Sequence, residues 1–102
     1  MPDNVPNGRL LDFGCGNGSF LSIMARLAWD VYGIEPDDTS AQHARDASGA
    51  MVAPDFAHAC LSSRSLDVIT MDHSLEHVKD PREVLKECRR LLKERGVLAI
   101  AV

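Results

Sequence analysis

The chain has 102 residues, 45% of them hydrophobic and 25% charged, a composition typical of one globular domain spanning residues 1–102 rather than a disordered or fibrous segment. Its net charge of −4 provides no positive field for a phosphate backbone, so we expect no nucleic-acid partner. The 3 cysteines are far apart and form no CxxC pair, and no apolar run is long enough to span a membrane, so we expect a cytoplasmic protein without a membrane partner.

A strand, a glycine-rich turn and a helix come first. Residues 9–13 are mostly apolar and stop at glycines, which predicts a short buried strand. From about Gly18 the apolar residues recur at helical spacing, which predicts a helix with one broad apolar face against a sheet. The residues of this face are Phe20, Leu21, Ile23, Met24, Leu27 and Ala28.

A second strand and helix follow. Residues 30–35 predict a strand, ended by Pro36, which cannot donate a ladder hydrogen bond. The polar residues 37–40 supply N-cap oxygens for a helix that closes near Gly49. Residues 50–53 can form a short third strand, whereas residues 54–65 remain ambiguous.

The last part of the chain contains two strands and a clearly marked helix. The β-branched segment 66–71 predicts a fourth strand. Asp80, Pro81 and Glu83 match an N-cap, a first helical position and a capping box, and we expect this helix to end near Gly96. Residues 97–102 then predict an apolar fifth strand. Strands that alternate with helices indicate an α/β fold with a mostly parallel sheet, whose ligands lie beyond the carboxyl ends of the strands.

The glycines at positions 14, 16 and 18 remove side chains where a tight turn enters a helix, so a ligand can lie on the backbone. The alternative is a turn that needs positive φ and binds nothing. No Lys or Arg lies between Arg9 and Arg26, which disfavours a nucleoside triphosphate.

Two carboxylates accompany this turn. Asp12, just before the glycines, would repel a pyrophosphate and favour a cationic ligand; the alternative is that it caps amides of the turn. Glu35, at the end of the second strand, can accept hydrogen bonds from both hydroxyls of a ribose; the alternative is a solvated side chain. Together they favour a cationic nucleoside.

Four segments, in this order and spacing, resemble the class I S-adenosylmethionine-dependent methyltransferases over essentially the whole chain: residues 10–20 (LLDFGCGNGSF), 31–37 (VYGIEPD), 66–78 (LDVITMDHSLEHV) and 91–100 (LLKERGVLAI). The resemblance implies a Rossmann-like three-layer sandwich with a parallel five-stranded sheet of order 3-2-1-4-5. It also implies S-adenosyl-L-methionine as the cofactor and methyl transfer as the activity. The sulfonium is already activated, so alignment and exclusion of water would supply most of the rate.

The resemblance also implies roles for individual residues. The backbone at Gly14 and Gly16 faces the methionine part of the cofactor, and Gly18 belongs to the same cofactor-binding loop. Asp12 supports the ammonium of the cofactor directly or through water, and Glu35 holds the ribose diol. Asp55 is the best match for the acidic residue that meets the adenine amino group, although Ala-Pro-Asp-Phe departs from the usual Gly-Asp pattern. Phe56 or Pro36 would line the adenine pocket, with ordinary packing as the alternative. The backbone near His73 would lie against the methionine portion.

Two histidines follow the fourth strand. His73 or His77 is a candidate catalytic base toward an acceptor hydroxyl, because imidazole exchanges protons near neutral pH. A metal site built from His73, Glu76 and His77 is a weaker alternative, since no regular helix is predicted to align them. A third interpretation is that Glu76 and His77 only orient the loop.

The family sheet has seven strands, and this chain stops at the fifth, so we expect a truncated core. Its apolar last strand would form an exposed edge, which predicts a homodimer or another association through that edge. The expected acceptor is a small molecule. Two other functions stay open: a non-catalytic module that keeps the fold, and a nicotinamide-dinucleotide domain, for which Glu35 has suitable spacing but Ser19 replaces the third glycine of GxGxxG.

Overall fold

The computed structural model describes residues 7–72 and 74–101 as an open sheet with helices on both faces. The five strands lie in the order β3-β2-β1-β4-β5 and all neighbouring pairs are parallel. The elements are β1 (Arg9–Phe13), α1 (Ser19–Arg26), β2 (Asp30–Ile34), α2 (Asp38–Ser48), β3 (Met51–Ala53), α3 (Phe56–Ala59), β4 (Leu66–Asp72), a 3₁₀ turn (Leu75–His77), α4 (Pro81–Leu91) and β5 (Leu92–Ala101). The predicted α/β fold and strand order are confirmed.

The central strand β1 sets which side chains meet at the carboxyl edge of the sheet. Its Asp12 lies beside Gly33 of β2 on one side and beside Thr70 of β4 on the other. Because the strands are parallel, the loops that follow them converge at one edge. The loops after β1, β2 and β4 therefore form a common site.

The sheet separates two cores because successive side chains of a strand point to opposite faces. Leu10 packs with α1 and α2, whereas the next residue, Leu11, packs with α3 and α4. Both leucines are fully buried, and burial of a leucine side chain contributes about 1.5–3 kcal/mol. Helices on both faces thus hold β1 rigidly under the loops at its end.

Caps place the starts of two helices where the sequence predicts them. The Asp37 carboxylate accepts a hydrogen bond of 2.9 Å from the Ser40 amide at the start of α2, which ends at Gly49 in the left-handed conformation. Asp80 caps α4 in the same way, with Pro81 as its first residue. No helix among the described residues combines the length and apolarity needed to cross a bilayer.

The broad apolar face predicted for α1 is only partly correct. Leu21 is fully buried and Met24 packs against the core, but Phe20, Ile23 and Leu27 are 40%, 54% and 56% exposed. The helix has 8 residues, so only the narrow stripe around Leu21 and Met24 reaches the sheet. Ala28, also expected on that face, lies beyond the end of the helix.

The predicted end of α4 near Gly96 is wrong. The helix ends at Leu91, because Leu92 leaves the helical conformation to pair with Leu66 and pack against the core. The register then passes from Leu66↔Leu92 to Val68↔Val97, so β5 bulges between these two pairs. The ambiguous segment 54–65 contains the short helix α3.

Candidate functional site

Two cavities open at the carboxyl edge of the sheet, and both are bordered by Gly14 and Asp72. The larger has a volume of about 490 Å³, and the smaller about 340 Å³. The larger is lined by Asp12, Gly14, Cys15, Asn17, Ser19, Phe20, Thr70, Met71, Asp72 and Ala99–Ala101. The smaller is lined by Phe13, Gly14, Ile34, Glu35, Pro36, Asp72, Ser74, His77 and Val78.

Gly14 begins the turn between the two cavities. Its amide and that of Cys15 both donate to the carbonyl oxygen of Ile34, at 2.8 and 3.1 Å, which fastens the turn to β2. A Cβ atom on Gly14 would lie 2.7 Å from Cβ of Ser74, closer than side-chain atoms approach. The Ser74 hydroxyl donates to the Phe13 carbonyl at 2.8 Å, so the loops after β1 and β4 are held in direct contact.

Gly18 serves the packing of two helices. A Cβ atom there would lie 2.5 Å from Cα of Ala44, so α1 and α2 approach closely at this point. Gly18 lines neither cavity, whereas the sequence predicts it as a cofactor contact. Gly16 also lines neither cavity, and its amide is directed at Glu35.

Asp12 is the buried carboxylate of the site. It is 7% exposed, borders the larger cavity, and its Oδ1 accepts a hydrogen bond of 2.8 Å from the Thr70 hydroxyl. Burial raises the pKa of Asp12 to about 6; the Thr70 hydrogen bond lowers it, and the nearby Asp72 charge raises it. A cation in the cavity would favour the ionised form of this carboxyl group.

Glu35 joins the glycine turn to the turn after β2. Its Oε1 accepts from the Gly16 amide at 2.9 Å and its Oε2 accepts from the Asp37 amide at 3.0 Å. The Glu35 amide in turn donates to the Ala53 carbonyl at 2.9 Å. A carboxylate oxygen can accept more than one hydrogen bond, so both oxygens retain capacity for a ligand. The interpretation of Glu35 as a solvated side chain is therefore incomplete, because it also orders two loops.

Cys15 lies in the glycine turn with its side chain buried. Burial, together with the charges of Asp12 and Glu35, raises the pKa of its thiol to about 11. The thiol is therefore protonated at neutral pH and is a poor nucleophile. Its role is packing, since the sulfur fills the space where a side chain on Gly33 would lie.

The three predicted adenine-pocket residues have different positions. Pro36 lines the smaller cavity, whereas Asp55 and Phe56 line neither of these two cavities. The exposed Asp55 carboxylate caps α3 by accepting from the His58 amide at 2.8 Å, and this bond lowers its pKa. Phe56 stacks on Phe13, a lining residue of the smaller cavity, with ring centroids 5.4 Å apart.

Of the two candidate catalytic bases, the structure describes only His77. His77 lines the smaller cavity. His73 lies outside the described residues, as does the side chain of Glu76, so the catalytic and metal roles considered for them stay predictions. Among the side chains that the structure describes, which exclude those of His73 and Glu76, no group of three His, Cys, Asp or Glu residues could hold a metal ion.

Several lining residues are not singled out by the sequence. The most important is Thr70, whose contact with Asp12 depends on the β1–β4 register. Asn17 and Ser19 form a local turn in which Asn17 Oδ1 accepts from the Ser19 hydroxyl at 2.8 Å. The helical pattern predicts Phe20 as a core residue, but Phe20 lines the larger cavity. An apolar pattern alone does not distinguish a buried position from a cavity wall. Ser74 could have been suspected only from its position after a strand.

Comparisons with known proteins identify the family of this chain. A family model described as a methyltransferase domain matches residues 1–102. A ubiquinone biosynthesis O-methyltransferase of Actinobacillus pleuropneumoniae is 38% identical over 88% of this chain and 43% of its own length. One with the same name from Caulobacter vibrioides is 36% identical over 90% of this chain and 39% of its own length. The chain thus spans less than half the length of these relatives.

Solved structures agree with the observed fold. A SAM-dependent methyltransferase of Thermotoga maritima has a TM-score of 0.77 and 30% identity, and it aligns over 93% of this chain and 44% of its own length. An S-adenosylmethionine-dependent methyltransferase of Mesorhizobium loti has a TM-score of 0.81 over 98% of this chain and 48% of its own, but at 23% identity it supports the fold alone. By family match, identity and fold, this chain belongs to the methyltransferase-domain family, the class I S-adenosylmethionine-dependent methyltransferases.

Proposed function

We propose that the chain is the cofactor-binding core of an O-methyltransferase, which holds S-adenosylmethionine across the two cavities and methylates a hydroxyl group of a small molecule. The observation that carries this proposal is a pair of carboxylates at two neighbouring cavities: Asp12 borders the larger and Glu35 the smaller. Gly14 borders both cavities, so the two carboxylates lie around the same glycine turn.

The larger cavity suits the cationic amino-acid part of this cofactor. Asp12 and Asp72 border it, and neither described cavity lining contains Lys or Arg. Both carboxylates favour a positively charged group, and they disfavour the phosphates of a dinucleotide. Partial burial strengthens this selection, because charges interact more strongly where water is displaced.

The smaller cavity suits a nucleoside. Glu35 would accept hydrogen bonds from the ribose hydroxyls, while Phe13, Pro36 and Val78 provide apolar surface for the base. The stacking of Phe56 on Phe13 stabilises that surface. A contact of Asp55 with the adenine amino group remains part of the proposal, and it would add to the role of Asp55 in capping α3.

When bound, the cofactor supplies a methyl group activated by its sulfonium. The residues of this chain would orient the acceptor, exclude water and accept a proton. His77 borders the smaller cavity and is one proposed base; His73 is the other. The names of the curated relatives support oxygen as the acceptor atom and a small molecule as the substrate.

Calorimetric titration with S-adenosylhomocysteine and with NAD tests the proposal. We expect S-adenosylhomocysteine to bind and NAD not to bind. Glu35→Gln should weaken binding about tenfold or more, because a charge-assisted hydrogen bond contributes ~1.5–3 kcal/mol. The matched control, Glu94→Gln, changes an exposed glutamate outside both cavities and should leave affinity unchanged. Binding of NAD alone would favour an oxidoreductase, and binding of neither would favour a non-catalytic module.

The proposal also covers the oligomeric state and the binding partners of this chain. We propose a homodimer through β5, which lies at the edge of the sheet and has Val97 and Ile100 exposed at 56% and 41%. Light scattering at high micromolar concentration should detect the dimer, and a monodisperse monomer would contradict it. The charge of −4 supports a partner other than nucleic acid or a membrane surface, and the free cysteines support a reducing, cytoplasmic location.

A further inference from the structure

The contact between Thr70 and Asp12 crosses from one strand to its neighbour. Thr70 and Asp12 are register partners in β4 and β1, and Thr70 Oγ1 donates to Asp12 Oδ1 at 2.8 Å. Both residues border the larger cavity. Within residues 7–72 and 74–101, Thr70 is the only group that hydrogen-bonds the Asp12 side chain.

The hydrogen bond from Thr70 engages one oxygen of the Asp12 carboxylate, in a residue that also borders the cavity. Asp12 is 7% exposed and lies on a central strand, so its position is determined by packing as well as by this hydrogen bond. A preorganised carboxylate binds a cation with less loss of conformational freedom than a mobile one. A hydroxyl donor also favours the ionised form of the acid it contacts.

We propose that Thr70 is a positioning residue for cofactor binding: its hydroxyl orients the Asp12 carboxylate toward the ammonium group in the amino-acid part of the ligand. This inference rests on the proposed function. Thr70 itself does not need to touch the ligand, because its proton is already donated to Asp12.

Two other titratable groups, Asp72 and Cys15, lie near Asp12. Asp72, at the end of the same strand as Thr70, raises the pKa of Asp12, and the Cys15 thiol in the glycine turn stays protonated near neutral pH. Only the Thr70 hydrogen bond lowers the pKa of Asp12 among these influences. Loss of the hydroxyl should therefore raise that pKa above about 6 and increase the neutral fraction near pH 7.

The test compares two probes that differ at the amino-acid end. S-adenosylhomocysteine carries the ammonium group, whereas 5′-methylthioadenosine has the same nucleoside without it. By calorimetry at pH 7.5, Thr70→Val should bind S-adenosylhomocysteine roughly tenfold more weakly than the wild-type chain and 5′-methylthioadenosine equally well. Thr70→Ser, which keeps the hydroxyl, should restore affinity. Thr39→Val, a matched change at an exposed position of α2, should have no effect on either probe.

Two further measurements separate positioning from a general structural role. In Thr70→Val, the loss of S-adenosylhomocysteine affinity on acidification should occur at higher pH than in the wild-type chain. In an Asp12→Asn background, Thr70→Val should cause no additional loss, which keeps the test decisive even if the single variant folds poorly.

Equal weakening of both probes by Thr70→Val, or unchanged affinity for S-adenosylhomocysteine, would overturn the positioning role while leaving the proposed function intact. A wild-type chain that binds neither probe would overturn both.

Discussion

Replacement of Gly18 by alanine should destabilise the fold strongly, because two separate costs coincide at this position. Gly18 has φ of 86°, and left-handed backbone costs a residue with a Cβ atom about 1–2 kcal/mol. The new Cβ atom would also lie 2.5 Å from Cα and 3.1 Å from the carbonyl oxygen of Ala44. Such overpacking costs about 1–3 kcal/mol, so we expect a total loss of about 2–5 kcal/mol.

Gly49→Ala is the matched control. Gly49 also has positive φ, 71°, but no atom lies within 4 Å of a Cβ atom placed there. Its replacement should cost only the backbone term of about 1–2 kcal/mol. Urea denaturation of both variants and the wild-type chain measures the two free energies of unfolding. Equal destabilisation by the two substitutions would refute the inference that Gly18 is required by close packing of α1 on α2.

Substitutions at Asp12 and Ser74 test the energetics of two side chains that line the cavities. Asp12→Asn should stabilise the chain at pH 8 by about 3 kcal/mol, because the Asp12 pKa rises from 3.8 to about 6 on folding and ionisation therefore opposes folding. The advantage should decline as pH falls from about 6 to about 4 and vanish below about pH 3, where the wild-type acid is neutral in both states, and a pH-independent difference in urea midpoints would contradict this cause. Ser74→Ala removes a hydroxyl donor to Phe13 and should cost about 0.5–1.5 kcal/mol, as should the remote Ser65→Ala. Only Ser74→Ala should also weaken S-adenosylhomocysteine binding by calorimetry, and an equal effect of both would contradict the role of this contact in the site.

The sequence predicts most of the fold because its signals are local. The strands around Leu10 and Val68 are apolar, and β1 stops at a glycine. The starts of α2 and α4 follow from Asp37 and Asp80, whose side chains cap the next turn. A capping residue acts through a hydrogen bond three positions away, so its effect can be recognised without knowledge of the tertiary structure.

What the sequence does not predict depends on contacts between distant segments. Leu92 has the pattern of a helical residue, but its pairing with Leu66 of β4 overrides local propensity. The position of Asp12 before the glycines predicts a ligand contact, yet its partner Thr70 is 58 residues away and is identified only once the strand register is known. Gly18 fits the glycine motif, but its close neighbour is Ala44 of a different helix.

Amide chemical-shift mapping during titration with S-adenosylhomocysteine locates the cofactor site on this chain. If the cofactor lies across the two cavities at the strand ends, the largest shifts fall on Gly14, Gly16 and Ser74. Absence of any shift at saturating ligand would contradict it. So would shifts confined to the cleft around Arg64 and Arg89, which lies near the amino ends of β4 and β5.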